Sequence, residues 1–83
     1  MSELSRLRWR CRRGTTELDR LLGKFLDTDN RGYQALDTEG RMAFEQLLAC
    51  EDDDLIDWLL SGHLPTEPHL VDIVTRVRSA SGL

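Results

Sequence analysis

The sequence feature that most constrains the fold is a single apolar stripe: Leu18, Leu21, Leu22, Phe25 and Leu26 follow the spacing i, i+3, i+4, i+7, i+8. On a helix of ~3.6 residues per turn these side chains share one face, whereas a strand would scatter them over two. Thr15 or Thr16 stands where a side-chain oxygen can cap the start. A helix of this length is marginal alone in water, so the stripe must be covered by other elements of the chain.

The remaining segments supply the cover. Leu4, Leu7 and Cys11 line one face of an earlier helix that Gly14 ends. Asp37 can cap a third helix whose apolar face is Ala43, Phe44, Leu47 and Leu48. A fourth opens on the acids Asp52 and Asp53, which suit the positive end of a helix dipole, carries Leu55, Ile56, Leu59 and Leu60, and stops at Gly62. The last, "LVDIVTRV", is rich in β-branched residues. Thr66 as a cap, Pro68 in the first turn and the face Leu70, Ile73, Val74 and Val77 nevertheless predict a helix. At 83 residues there is room for one core, so the expectation is an all-α, small five-helix bundle forming a single domain over residues 1–83.

Several chemistries fail on spacing. The stretch "DTDNRGYQALDT", Asp27 to Thr38, begins like a calcium loop, with acids at positions 1 and 3 and glycine at position 6. Position 12 is Thr38 where a bidentate glutamate is needed, and position 5 is the cation Arg31. The expectation is an inter-helix loop without calcium. His63 and His69 lie six apart with no cysteine nearby, and "EDDD", Glu51 to Asp54, coincides with a helix start. These read as surface histidines and a solvated cap, and no metal site is expected. Cys11 and Cys50 are far apart with no CxxC, so both read as free thiols in a reducing compartment. No phosphate loop, nucleophile elbow or carboxylate pair points to catalysis, and no apolar run reaches the ~18–20 residues of a membrane span.

Charge is unevenly placed. Arg6, Arg8, Arg10, Arg12 and Arg13 against Glu3 give the first thirteen residues +4, which leaves −8 on the other seventy. A nucleic acid would be repelled by that body, and lysine is nearly absent, so nucleic-acid binding is not expected. If residues 4 to 13 are helical, Trp9 falls about 140° from Leu4, opposite the apolar stripe, with Arg6 and Arg13 close to it at i−3 and i+4. Tryptophan and arginine exposed together are the side chains most enriched among interface hot spots. The alternative is that Trp9 folds back onto the body under arginine stems.

"RWRCRRGTTELD" followed by "LLACEDDDLIDWLLSG" resembles the small FAD assembly factors of succinate dehydrogenase, whose hallmark is an RGxxE motif between the first two helices. Arg13, Gly14 and Glu17 match that motif, and a "DxDLxxWL" element follows downstream. The resemblance runs from about Arg8 to Gly62. It implies a five-helix bundle that binds the flavoprotein subunit of succinate dehydrogenase, and also that of fumarate reductase, and promotes covalent attachment of FAD to a client histidine without catalysing it. FAD would belong to the client and not be bound stably by this chain. The resemblance and the exposed arm together make Arg8, Trp9, Arg12, Arg13, Gly14 and Glu17 the candidate partner-binding residues. Gly14 would allow close backbone approach, Arg13 would reach into the client, and Glu17 would orient Arg13 or meet a client cation. The start differs from eukaryotic members, which carry a mitochondrial extension, so a monomeric bacterial protein of the cytoplasm is expected. Some family members have been described as antitoxins that relieve inhibition of cytoskeletal polymerisation, a reading of a different class. Loss of covalent flavin on deletion, as against changed cell shape, separates the two.

Overall fold

The computed structural model describes residues 3–28 and 32–82, with their side chains from residue 5 onward. The chain forms α1 (Glu3–Arg10), α2 (Thr16–Asp27), a 3₁₀ turn (Tyr33–Ala35), α3 (Thr38–Leu48), α4 (Asp52–Leu55, continued as a π turn over Ile56–Leu60) and α5 (Pro68–Ala80). No strand occurs among the described residues. The body measures 32 × 26 × 23 Å.

The predicted stripes of α2, α3 and α5 face inward. Leu18, Leu21, Leu22, Phe25 and Leu26 of α2 are buried, as are Ala43, Phe44, Leu47 and Leu48 of α3 and Leu70, Ile73, Val74 and Val77 of α5. Helix α5 packs against both α2 and α3, so its β-branched residues fill the centre from a helix rather than a strand. Leu7 and Cys11 bring α1 onto the same core; Leu4, the third member of that stripe, lies outside the side chains described. Phe44 is flanked by Phe25 at 5.1 Å and Tyr33 at 5.5 Å between ring centroids. No charged or polar residue is fully buried among those described, as a small core without spare hydrogen-bond partners requires.

Local differences from the sequence expectation have identifiable causes. Thr15 occupies the N-cap position of α2, but its hydroxyl makes no capping bond. Asp37 caps α3 as expected, its Oδ1 accepting from the Gly40 N–H at 2.8 Å. Glu67, not Thr66, stands at the N-cap of α5, because Pro68 already occupies the first turn. The stretch between α2 and α3 is more than a solvated loop: Tyr33 and Leu36 are buried. Gly32 lies so close to α2 that an added Cβ would sit 2.0 Å from the Phe25 carbonyl oxygen and 2.5 Å from that of Thr28. In the former calcium-like loop, Asp27 is held by Arg8 and Asp37 by its capping bond, while Asp29 and Arg31 lie outside the described residues.

Candidate partner-binding surface

Helix α1 ends earlier than its arginines. The Cys11 N–H donates to Leu7 O at 3.0 Å and the Arg12 N–H to Trp9 O at 3.1 Å, after which the chain leaves helical geometry. It then turns at Gly14 with φ +83° and enters α2. A Cβ built at Gly14 would meet nothing within 4 Å, so the turn faces open space. The left-handed backbone, not crowding within the fold, is what requires glycine here.

Arg13 is fixed from below that turn. Its side chain is only 15% exposed, and its Nε donates to Asp52 Oδ1 at 2.8 Å. Nη1 donates to Leu48 O at 2.7 Å and Arg10 O at 3.2 Å, and Nη2 donates to Cys50 O. The guanidinium therefore staples the α1–α2 turn to the end of α3 and the start of α4, where it satisfies carbonyls that a helix C-terminus leaves without partners. The Arg13 backbone N–H donates to Asp19 on the first turn of α2. Two sequence expectations are corrected. Arg13 does not project toward a partner, because four of its five N–H donors are used within the chain. Glu17 does not orient it; Asp52 and Asp19 do, while Glu17 is exposed and borders a groove with Arg20, Leu21, Lys24, Leu60 and Ser81.

Asp52 and Asp19 were the residues that spacing could not assign. Asp52 lies 39 positions from Arg13 within a run of acids that a helix start already explains. A local signal existed for Asp19: a carboxylate on a first helical turn, six residues after an N–H that leads into a glycine turn.

The rest of the basic arm is partly neutralised by the body. Arg8 forks onto Asp27, Nη2 to Oδ1 at 2.6 Å and Nη1 to Oδ2 at 3.2 Å, and this hydrogen bonding holds the Asp27 carboxyl below its usual range. Arg10 donates to Glu45 O at 3.1 Å and approaches its carboxylate at 3.7 Å. Trp9 does point away from the core and is 67% exposed. Its guanidinium neighbour is Arg12, 5.8 Å from the ring centroid, and not Arg13, which the early end of α1 carries to the other side. Cys11 lies beneath the arm, and burial pushes its thiol up to about 11 against the opposing pull of Arg8, Arg13 and Arg10. Cys11 and Cys50 are both free.

His63 contacts Asp57 and His69 lies 3.4 Å from Glu67, both at the surface. No group of three or more metal-ligating side chains comes together among the described residues. No helix described is long and apolar enough to cross a membrane.

Comparison with known proteins identifies the family. The family described as flavinator of succinate dehydrogenase matches residues 5–81. The FAD assembly factor SdhE of Shewanella oneidensis is 38% identical over 78 residues, covering 94% of this chain and 92% of that protein. Its counterpart in Methylococcus capsulatus is 39% identical over 82 residues, covering 99% and 95%, and that of Legionella pneumophila (strain Paris) is 42% identical over 77, covering 93% and 92%. No solved structure gives a significant match. With the family pattern spanning nearly the whole chain and relatives of near-equal length, the protein belongs to the flavinator of succinate dehydrogenase family.

Proposed function

We propose that this chain is a non-catalytic assembly factor, acting as a monomer in the cytoplasm, that binds the flavoprotein subunit of succinate dehydrogenase and promotes covalent attachment of FAD to it. The flavoprotein of fumarate reductase is a second client in this reading. FAD is the client's, and the bond-forming chemistry belongs to the flavin and a client side chain. This chain contributes a rigid surface that holds the client in the reactive geometry, and positioning alone can be worth several powers of ten in rate.

The observation that carries the reading is the Gly14 turn within a family-matched chain. Its backbone is left-handed, open to the outside and clamped from the inside by Arg13. Docking against an open glycine turn needs no rearrangement of this protein, so little ordering entropy opposes it. Trp9 and Arg12 precede this turn in the chain and Glu17 follows it, all three exposed.

Co-expression of the client flavoprotein with and without this chain, read by in-gel flavin fluorescence, tests the proposal. Covalent flavin is expected to rise with the unaltered chain. Gly14→Arg should keep helical circular dichroism, at a cost of ~1 kcal/mol for the left-handed backbone, and should abolish the rise. A folded Gly14→Arg protein that supports full flavinylation would overturn the role of the turn. Equal flavinylation with and without the unaltered chain would overturn the function.

A further inference from the structure

The five arginines between positions 6 and 13 are not equivalent. Arg8, Arg10 and Arg13 each have a carboxylate of this chain within 4 Å, on Asp27, Glu45 and Asp52 respectively. Arg6 and Arg12 have none among the described residues. Arg6 borders a groove with Leu7, Arg10 and Glu45, where an acid already stands. Arg12 instead borders, with Ser5, Arg8 and Trp9, a groove with no carboxylate among its described lining. On its other side Arg12 shares a groove with Asp19, which accepts the Arg13 backbone N–H and makes no ion pair with Arg12. The Trp9 ring is 67% exposed, with the Arg12 guanidinium beside it.

We infer that the Trp9–Arg12 groove receives a segment of the client flavoprotein carrying one carboxylate next to an apolar side chain. The inference rests on the assembly-factor reading and names the chemistry of the contact. Covering Trp9 would also remove water from Arg12, and a guanidinium desolvated without a counter-charge opposes association. The occupant must therefore bring an anion as well as apolar surface. A single carboxylate matches the charge available, because of the two arginines lining this groove Arg8 is paired with Asp27 and Arg12 makes no ion pair among the described residues. A pyrophosphate would need more cations than the groove has free. The outer edge of a planar guanidinium accommodates a carboxylate while its face stays beside the indole. Arg12 also stands only two residues before the Gly14 turn in the chain.

The test titrates purified client flavoprotein into the unaltered chain and into Arg12→Glu, Arg6→Glu and Trp9→Ala. Both arginine reversals change the charge equally, and neither arginine makes a side-chain hydrogen bond or ion pair among the described residues, so circular dichroism should match the parent for both. Arg12→Glu and Trp9→Ala should each weaken binding by ~30-fold or more, and Arg6→Glu by less than ~3-fold. Inorganic pyrophosphate should displace the client no better than sodium chloride of equal ionic strength. Equal losses for Arg12→Glu and Arg6→Glu would overturn the inference in favour of a diffuse charge effect, and specific displacement by pyrophosphate would overturn it in favour of a phosphate ligand. Binding by the parent with both reversals tolerated defeats this inference alone; absence of binding by the parent defeats the assembly-factor reading with it.

Discussion

Replacing Arg13 by alanine should damage this protein through its fold before it affects a partner. The side chain is 15% exposed and bonds one carboxylate and three backbone carbonyls. Hydrogen bonds involving a charged group are worth ~1.5–3 kcal/mol each in mutational series, but they do not add, and Asp52 is partly solvated. Removing the guanidinium also leaves the carbonyls of Leu48 and Cys50 without it at a partly buried junction. A loss of ~3 kcal/mol is expected, out of the ~4–12 kcal/mol usual for a domain this size. At ~4–8 °C per kcal/mol the melting temperature should fall by ~12–24 °C, measured by circular dichroism. Asp52→Ala should cost less, because the two carbonyls keep their donor. The Arg13–Asp52 double-mutant cycle should give a coupling of ~1 kcal/mol or more, while Arg13 and Glu17 should be additive within ~0.5 kcal/mol. A melting temperature for Arg13→Ala within a few degrees of the parent, or strong coupling to Glu17, would refute the staple.

Gly32→Ala should be among the most destabilising single-methyl additions in the chain, by ~3 kcal/mol or more in urea denaturation, because the new Cβ would lie 2.0 Å from the Phe25 carbonyl oxygen. Calorimetry at ~1 mM calcium should show no saturable heat, since Asp27 is committed to Arg8 and Asp37 to its helix; binding lost on Asp27→Ala would contradict this. Iodoacetamide at about pH 8 should label half-buried Cys50 before Cys11, whose burial and thiol at about 11 leave little thiolate; mass spectrometry that finds Cys11 modified first in the folded protein would show that α1 opens.

What could be read from the sequence was what depends on local period. The stripes of α2, α3 and α5 specified both the helices and their inner faces, because 3.6-residue spacing and burial are the same statement viewed from two ends. In the fourth helix the stripe Leu55, Ile56, Leu59 and Leu60 was visible, but the π turn was not. With it, Leu55 and Leu59 are buried while Ile56 and Leu60 are half-buried. The burial of Tyr33 was hidden because one aromatic in a turn-rich stretch has no periodicity to reveal its face. The site shows the same division. Helix geometry set Trp9 opposite the apolar stripe and Gly14 at the end of α1, but the choice between an outward and a folded-back Trp9, and the left-handed backbone of Gly14, came only with the fold. The partners of Arg13 did not, since Leu48, Cys50 and Asp52 reach it only after three helices have packed.

That long-range dependence gives the motif a division of labour which its linear form conceals. In a sequence, Arg13 and Gly14 are adjacent and read as one device aimed at a partner. In the fold they do opposite things: the arginine is drawn inward onto the α3–α4 junction, and the glycine after it is left facing open space. A turn with positive φ and no packing of its own would otherwise be free to fray, so the inward staple is what keeps the outward surface in one geometry. Arg13→Ala and Gly14→Arg should therefore fail differently. The first should lose melting temperature and client capture together, whereas the second should lose capture with the fold retained. Only the second reports on the contact itself.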